Sequence, residues 1–233
     1  MAEYAYPGRE NLQAMEGAKN YNRRLCDVLL QSVGDRRSGQ RILDFGAGSG
    51  LFARALRDSG VVVECLEPDE EYARVLREDG FKVGGGLGSL DGTYDAIYAI
   101  NVLEHIEDDR RVFDELVGRL KPGGRIMIYV PAFGMLFSSM DRLVGHHRRY
   151  RASDLREYGS RSALTVSVCR YCDPMGFLAS LLYRLVGSRS GTISSRAVKI
   201  YDRTAFKLGT LVEPLTGRLF GKNLLFVAYR SGP

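Results

Sequence analysis

Arg41-Ile42-Leu43-Asp44-Phe45-Gly46-Ala47-Gly48-Ser49-Gly50 is a short apolar run that ends in an acid and then in alternating glycines, just ahead of a helical pattern over Leu51 to Ser59. Such a run suits a strand buried on both faces of a parallel sheet. The glycines let the backbone turn tightly and approach a ligand closely. A dinucleotide-binding turn needs the spacing G-x-G-x-x-G, so that a pyrophosphate reaches the helix N-terminus. Here position 51 is leucine, and Asp44 would repel phosphate. The stretch argues against NAD and for a ligand carrying positive charge, which an acid at the strand end can offset.

Further strands follow at Val61 to Leu66, Phe81 to Val83 and Tyr94 to Ile100. A helix is expected from Asp69-Glu70 to about Asp79 and another over Asp108 to Leu120, which Lys121-Pro122-Gly123-Gly124 ends before a fifth strand at Arg125 to Val130. Five strand-plus-helix units in succession predict an α/β fold with a parallel, doubly wound sheet. Glu67 closes the second strand, roughly 20 positions after the first glycine, where a carboxylate can accept both hydroxyl hydrogens of a ribose.

Pro131 to Tyr158 is a long insertion of polar, aromatic and basic residues, at the chain position of a lid. A strand at Leu164 to Cys172, a helix at Pro174 to Val186, a helix over Ser194 to Leu208 and a last strand at Leu224 to Tyr229 complete the pattern. Leu178, Leu181, Leu182, Leu185 and Val186 share helical spacing and are expected to pack on the core or on a second copy. Asn11 to Leu30 reads as a helical extension, ended by the stretch Gly34 to Gln40. The expectation is one domain over 1–233, with an N-terminal extension (1–39), a ligand-binding core (40–131), an insertion (132–163) and a C-terminal part (164–233).

The 233 residues are 45% hydrophobic and 26% charged, enough to bury a full core. No apolar run approaches the roughly 18 residues of a membrane span, and Met1 to Glu10 is unlike a signal peptide, so a cytoplasmic protein is expected. The net charge of +5 is dispersed, apart from Arg36-Arg37 and the run His146-His147-Arg148-Arg149-Tyr150-Arg151. That is not the long basic face with interleaved aromatics of a nucleic-acid binder. Membrane contact through the leucine-striped helix, with Arg170, Arg184 and Arg189 nearby, is a lesser alternative, and the chain is read as a monomer or homodimer. Of Cys26, Cys65, Cys169 and Cys172 only the last two have metal-like spacing, yet residues three apart on a strand face opposite ways, and no second pair completes a zinc set.

Ile42 to Gly50, Glu67-Pro68-Asp69, Tyr94 to Asp108 with its core Val102-Leu103-Glu104-His105-Ile106, and Leu120-Lys121-Pro122-Gly123-Gly124 together resemble class I S-adenosylmethionine-dependent methyltransferases over about residues 40 to 131. Asn11 to Leu25, including Asn20-Tyr21-Asn22-Arg23, and Gly145 to Tyr150 resemble a bacterial subgroup found beside sugar-processing or natural-product genes. The resemblance implies a Rossmann-like, mostly parallel seven-stranded sheet of order 3-2-1-4-5-7-6, last strand antiparallel, and S-adenosyl-L-methionine as cofactor. It places Asp44, Gly46, Ala47, Gly48 and Gly50 on the methionine part, Glu67 on the ribose, Pro68 on the adenine edge, and Gly86 and Leu87, in the Gly84 to Leu87 turn, on the adenine. Asn101 and Val102 fall where the methionine part or the acceptor is met. Gln13 and Tyr21 would close the site from the N-terminal helix.

Methyl transfer is an in-line displacement at a carbon already activated by a sulfonium, so the protein mainly aligns the acceptor and removes a proton. The three histidines of the chain, His105, His146 and His147, with Tyr150, are the catalytic candidates. Arg148 and Arg149 are candidates for holding an anionic group on the acceptor, and Tyr129 and Phe133 for contacting it. Related aromatic O-methyltransferases hold a metal near the fourth strand with acids and a histidine. Asn101 stands where such an enzyme wants an acid, leaving Glu104 and His105 short of a ligand set, so no metal is expected. The reading is methyl transfer to an oxygen or nitrogen of a natural-product, sugar or lipid-linked small molecule. The alternatives are a protein of the same fold that binds the cofactor and catalyses a non-methylating or cyclisation step, and, lower, an NAD-dependent reductase.

Overall fold

Seven strands form one sheet: β1 (Arg41–Phe45), β2 (Val62–Leu66), β3 (Lys82–Gly84), β4 (Tyr94–Ile100), β5 (Leu120–Pro131), β6 (Leu164–Cys172) and β7 (Asn223–Arg230). A computed structural model describes residues 8–33, 39–186 and 194–232. Arg36, Arg37 and Arg189, most of Met1 to Glu10 and of Gly34 to Gln40, and the side chains of Leu185 and Val186 lie outside the described residues. The strand order is β3-β2-β1-β4-β5-β7-β6, as the resemblance implies. β1 to β5 pair in parallel, whereas β7 runs antiparallel to both of its neighbours.

Both faces of the sheet are covered, which is why the strands read as continuous apolar runs rather than alternating ones. Ile42, Val63, Ala96, Tyr98 and Met127 point to one face, packing with Leu25 and Leu29 of α2 (Lys19–Ser32), Leu56 of α3 (Leu51–Arg57) and Leu76 of α4 (Glu70–Glu78). Leu43, Ile97, Ile126, Ile128 and Phe226 point to the other, against Phe113 and Leu116 of α5 (Asp109–Gly118) and Leu155 of α7 (Ala152–Arg161). Because β1, β2, β4 and β5 are parallel, their carboxyl ends share one edge, and the antiparallel β7 begins at that same edge. Ligand sites of open α/β sheets form there.

Several elements differ from the expectation. The N-terminal extension is two helices, α1 (Arg9–Glu16) and α2, interrupted at Gly17 and Ala18. β5 starts before the Lys121 to Gly124 segment: Leu120 pairs with Tyr94, and the next pair is Arg125 with Ala96, so the Pro-Gly-Gly residues form an irregularity inside the strand instead of a stop. The second half of the insertion is α7, which covers the sheet. The first half holds the short α6 (Ser139–Leu143) and is pinned where Ala132 bridges Tyr150. The helix expected over Ser194 to Leu208 is split into α9 (Ser195–Arg203) and α10 (Ala205–Thr216). α8 (Pro174–Val186) forms as expected, yet Leu178 and Leu182 are exposed, not packed on the core. Among the described residues no helix is long and apolar enough to cross a membrane.

The start of α2 is capped from far away in sequence. Ala18, at its N-cap, offers no side-chain acceptor. Asp202 of α9, only 3% exposed, supplies one: its carboxylate accepts the Asn20 N–H at 3.0 Å and the Tyr21 N–H at 2.8 Å, and the Asn20 side-chain amide donates to it at 2.9 Å. Free N–H groups at a helix start need such partners. Asp202→Ala is therefore expected to cost about 2 kcal/mol, seen as a lower urea midpoint at unchanged slope. An unchanged midpoint would show that water replaces the cap.

Candidate active site

The turn after β1 is held by the strand beside it. Gly46 and Ala47 donate their N–H groups to the Leu66 carbonyl at 2.8 and 3.1 Å, and Gly48 donates to Glu67 Oε2 at 2.7 Å. Gly46 has φ +79°, and a Cβ there would sit 2.5 Å from Val102 Cγ2, so no other residue fits without movement. Glu67 Oε1 accepts the Asp69 N–H at 2.9 Å. Both carboxylate oxygens keep lone pairs for further donors.

A cavity of about 390 Å³ opens at this edge, within the size range of small-molecule sites. Asp44, Gly46, Ala47, Gly48, Glu67, Pro68, Asn101 and Val102 line it. Asp44 is 3% exposed and its Oδ2 has no hydrogen-bond partner among the described residues. Burial pushes its carboxyl up to about 7; the Tyr98 hydroxyl pulls it down and the nearby Glu67 charge raises it further. A cationic ligand is what this group lacks. Asn101 sits in the left-handed region at φ +54° and donates its N–H to the Tyr129 carbonyl at 2.7 Å.

The N-terminal helices form one wall of the cavity, with Asn11, Leu12 and Met15 from α1 and Tyr21 from α2. Arg9 ties α1 down by reaching both oxygens of Asp69, the N-cap of α4, at 2.7 Å. The Tyr21 and Tyr129 hydroxyls lie 3.4 Å apart, and Asn223 Nδ2 donates to Tyr129 at 3.1 Å.

A second wall carries the polar chemistry. Glu104, His105, Asp141, His146, Arg149 and Lys222 all line it. Asp141 is a hub: it accepts from Ser138 N at 2.8 Å and from Arg149 Nε at 2.8 Å, and its Oδ1 lies 2.8 Å from His146 Nδ1. Its carboxyl is held well below the usual range; burial works against this, and the bonds to His146 and Arg149 prevail. Glu104 is fully buried, which pushes its carboxyl up to about 8. Burial, with the neighbouring His146 ring, drives the His105 imidazole down to about 3, so it is neutral at pH 7. Burial also lowers the Lys222 ammonium.

A family model described as a methyltransferase domain matches residues 18–166, more than half of the chain. The chain belongs to this methyltransferase family. Ubiquinone biosynthesis O-methyltransferase of Xylella fastidiosa (strain 9a5c) is 32% identical over 102 residues, covering 39% of this chain and 42% of the relative. The chain thus spans less than half the length of the curated relatives it matches. Phosphoethanolamine N-methyltransferase 2 of Haemonchus contortus, in complex with S-adenosyl-L-methionine, shares the fold with TM-score 0.60 at 15% identity, over 89% of this chain and 52% of that one. The [4+2]-cyclase SpnF does so with TM-score 0.59 at 19% identity, over 90% and 81%.

The methyltransferase's cofactor is S-adenosylmethionine, and the residues present fit it: a buried, unpartnered Asp44 oxygen for a positive charge, and a Glu67 carboxylate with spare lone pairs at the end of β2. Of the remaining residues singled out from the sequence, Tyr21, His105, His146 and Arg149 line the cavity, whereas Gln13, Gly50, Gly86, Leu87, Tyr129, Phe133, His147, Arg148 and Tyr150 stand outside its lining. Gln13 is exposed on α1, whose Asn11, Leu12 and Met15 face inward. Gly50 caps α3 and packs against Leu76 of α4. Tyr150 is 2% exposed and its hydroxyl donates to Asp109 at 2.5 Å, a core position. Arg148 pairs with the same Asp109 and donates to the Glu107 carbonyl, and Phe133 stacks on Tyr171. His147 is exposed, its N–H bonded to the Glu104 carbonyl at 2.7 Å.

Lys222, Asn223, Asp141 and Asn11 line the methyltransferase's cavity without having been singled out in the sequence. For Lys222 and Asn223 the signal was topological: an antiparallel last strand must start where the parallel strands end.

Asp44 makes ligand binding pH-dependent. Below about 7 the carboxyl is protonated and neutral, and a ligand ammonium, which S-adenosylmethionine and S-adenosylhomocysteine share, favours the carboxylate. Binding therefore releases a proton at low pH, and S-adenosylhomocysteine affinity should rise about tenfold from pH 6 to pH 8. Calorimetric titration of the parent and of Asp44→Asn checks this; the variant should bind weakly with a flat profile, and an equal slope in both would place the titration elsewhere.

Proposed function

We propose that the protein transfers the methyl group of S-adenosylmethionine to an oxygen or nitrogen of a small molecule, of natural-product, sugar or lipid-linked kind. The observation that carries this reading is a single cavity joining the Asp44 and Glu67 carboxylates to a wall of Glu104, His105, His146, Arg149 and Lys222. The cofactor supplies a methyl carbon activated by its sulfonium. Asp44 offsets positive charge, Glu67 takes ribose hydroxyl hydrogens, and Asn11, Leu12, Met15 and Tyr21 exclude water from one side. His105 lines the same space with a neutral imidazole whose basicity burial reduces, so it can contact an acceptor without carrying charge. Lys222 faces the same space and can hold an anionic group on the acceptor. The relatives named for O-methylation favour oxygen as the accepting atom. The four unbridged cysteines support a cytoplasmic setting.

The test is incubation with methyl-labelled cofactor and a panel of such acceptors. Labelled small-molecule product and S-adenosylhomocysteine should form in equal amounts. Label arriving instead in nucleic acid or protein would overturn the acceptor class, and turnover without S-adenosylhomocysteine would point to a non-methylating step.

A further inference from the structure

Glu104 has 0% exposure, and neither of its carboxylate oxygens has a hydrogen-bond partner among the described residues. Buried carboxylates are ordinarily paired, hydrogen-bonded or bound to a metal. His146 Nε2 stands 3.8 Å from Glu104 Oε1, beyond hydrogen-bond reach. His105 joins them, its ring 4.6 Å from that of His146 between centroids. One ligand atom from each of the three residues lies within 4.8 Å of the others. Zinc-type ligands sit about 2.0–2.2 Å from the ion, so a contraction of under about 1 Å closes this set around one cation.

The His146 imidazole is oriented as a metal-binding one is. His146 Nδ1 is held by Asp141 at 2.8 Å, and Asp141 is itself fixed by Arg149 and Ser138, which leaves His146 Nε2 directed toward Glu104. A carboxylate or carbonyl on the far nitrogen fixes the tautomer and the ring of a ligating histidine. Read along the sequence, Glu104 and His105 were one ligand short; the third comes from the insertion, about 40 residues later in the chain.

We propose that Glu104, His105 and His146 form a binding site for a first-row divalent cation of the zinc type, and that this cation holds the oxygen of the methyl acceptor. Two imidazoles and one carboxylate with positions left open match catalytic zinc sites, whereas magnesium and calcium prefer oxygen ligands. All three residues line the cavity that holds Asp44 and Glu67. The acceptor half of the proposal rests on the methyl-transfer reading above. A bound cation lowers the pKa of an acceptor hydroxyl, whose proton passes to water. The oxygen lone pair then forms the O–C bond as the C–S bond breaks, its electron pair staying on sulfur as a neutral thioether.

Chelator-stripped full-length chain, titrated with cobalt(II) and followed by visible absorption, should saturate at one equivalent, and zinc should displace the signal. Glu104→Gln and His146→Gln should each weaken cobalt binding by about 100-fold, and Asp141→Asn, through His146, by about 10-fold. S-adenosylhomocysteine titrated into the same samples reports folding and the cofactor end separately. Cobalt that does not saturate, or that binds both ligand variants as tightly as the parent, overturns the cation site even where S-adenosylhomocysteine binds normally. Saturable cobalt with no S-adenosylhomocysteine binding upholds the cation site and overturns the methyl-transfer reading, and with it the acceptor role.

Discussion

Glu67→Gln is expected to weaken S-adenosylhomocysteine binding by about two orders of magnitude. Both carboxylate oxygens already accept backbone N–H groups, from Gly48 at 2.7 Å and Asp69 at 2.9 Å. An amide of the same shape turns one acceptor into a donor, so one of these buried N–H groups faces another N–H. A lost acceptor of that kind costs about 1–3 kcal/mol. The amide also gives up charge-assisted bonds to the ribose hydroxyls, roughly twice as strong as neutral ones. About 3 kcal/mol in total corresponds to roughly 100-fold in affinity. Calorimetric titration reads the loss, and thermal unfolding shows whether the glycine turn survives. Unchanged affinity would mean that the ribose is bound elsewhere.

Gly46→Ala should be comparably severe, but through the fold. At φ +79° an alanine is strained by about 1 kcal/mol or more, and its Cβ would stand 2.5 and 2.9 Å from the two methyl groups of Val102. Relieving that overlap displaces Val102, which lines the cavity. Overpacking and backbone strain together should destabilise the protein by about 3 kcal/mol and abolish measurable S-adenosylhomocysteine binding. Adding Val102→Ala removes the overlap but not the strain, so the double variant should regain part of the lost stability. Equal urea midpoints for the single and double variants would show that Val102 is not the obstacle.

What could be read from the chain alone is what its neighbours along the chain determine. The turn after β1 and the carboxylate ending β2 are local patterns, and both line the cavity. Lys121 to Gly124 misled because proline and glycines look the same whether they end a helix or bulge a strand; only the partner Tyr94 decides. In the basic run, the side chains that line the cavity are His146 and Arg149, while His147 is exposed and Arg148 pairs with Asp109. No periodicity within six residues assigns those directions. Asp141 owes its place to Ser138, His146 and Arg149 converging on it, which appears only once the insertion is folded back at Ala132 and Tyr150. Leu178 and Leu182 show the reverse: a helical stripe is legible, but not which side of the helix the molecule leaves exposed.

The Asp202 carboxylate that holds Asn20 and Tyr21 also has a bearing on biosynthesis. The second helix emerges from the ribosome early, yet the residue that completes its first turn is made some 180 residues later. The wall carrying Tyr21 therefore gains this cap only after α9 has been made, and until then the first turn of α2 lacks the stabilisation that the Asp202 carboxylate adds.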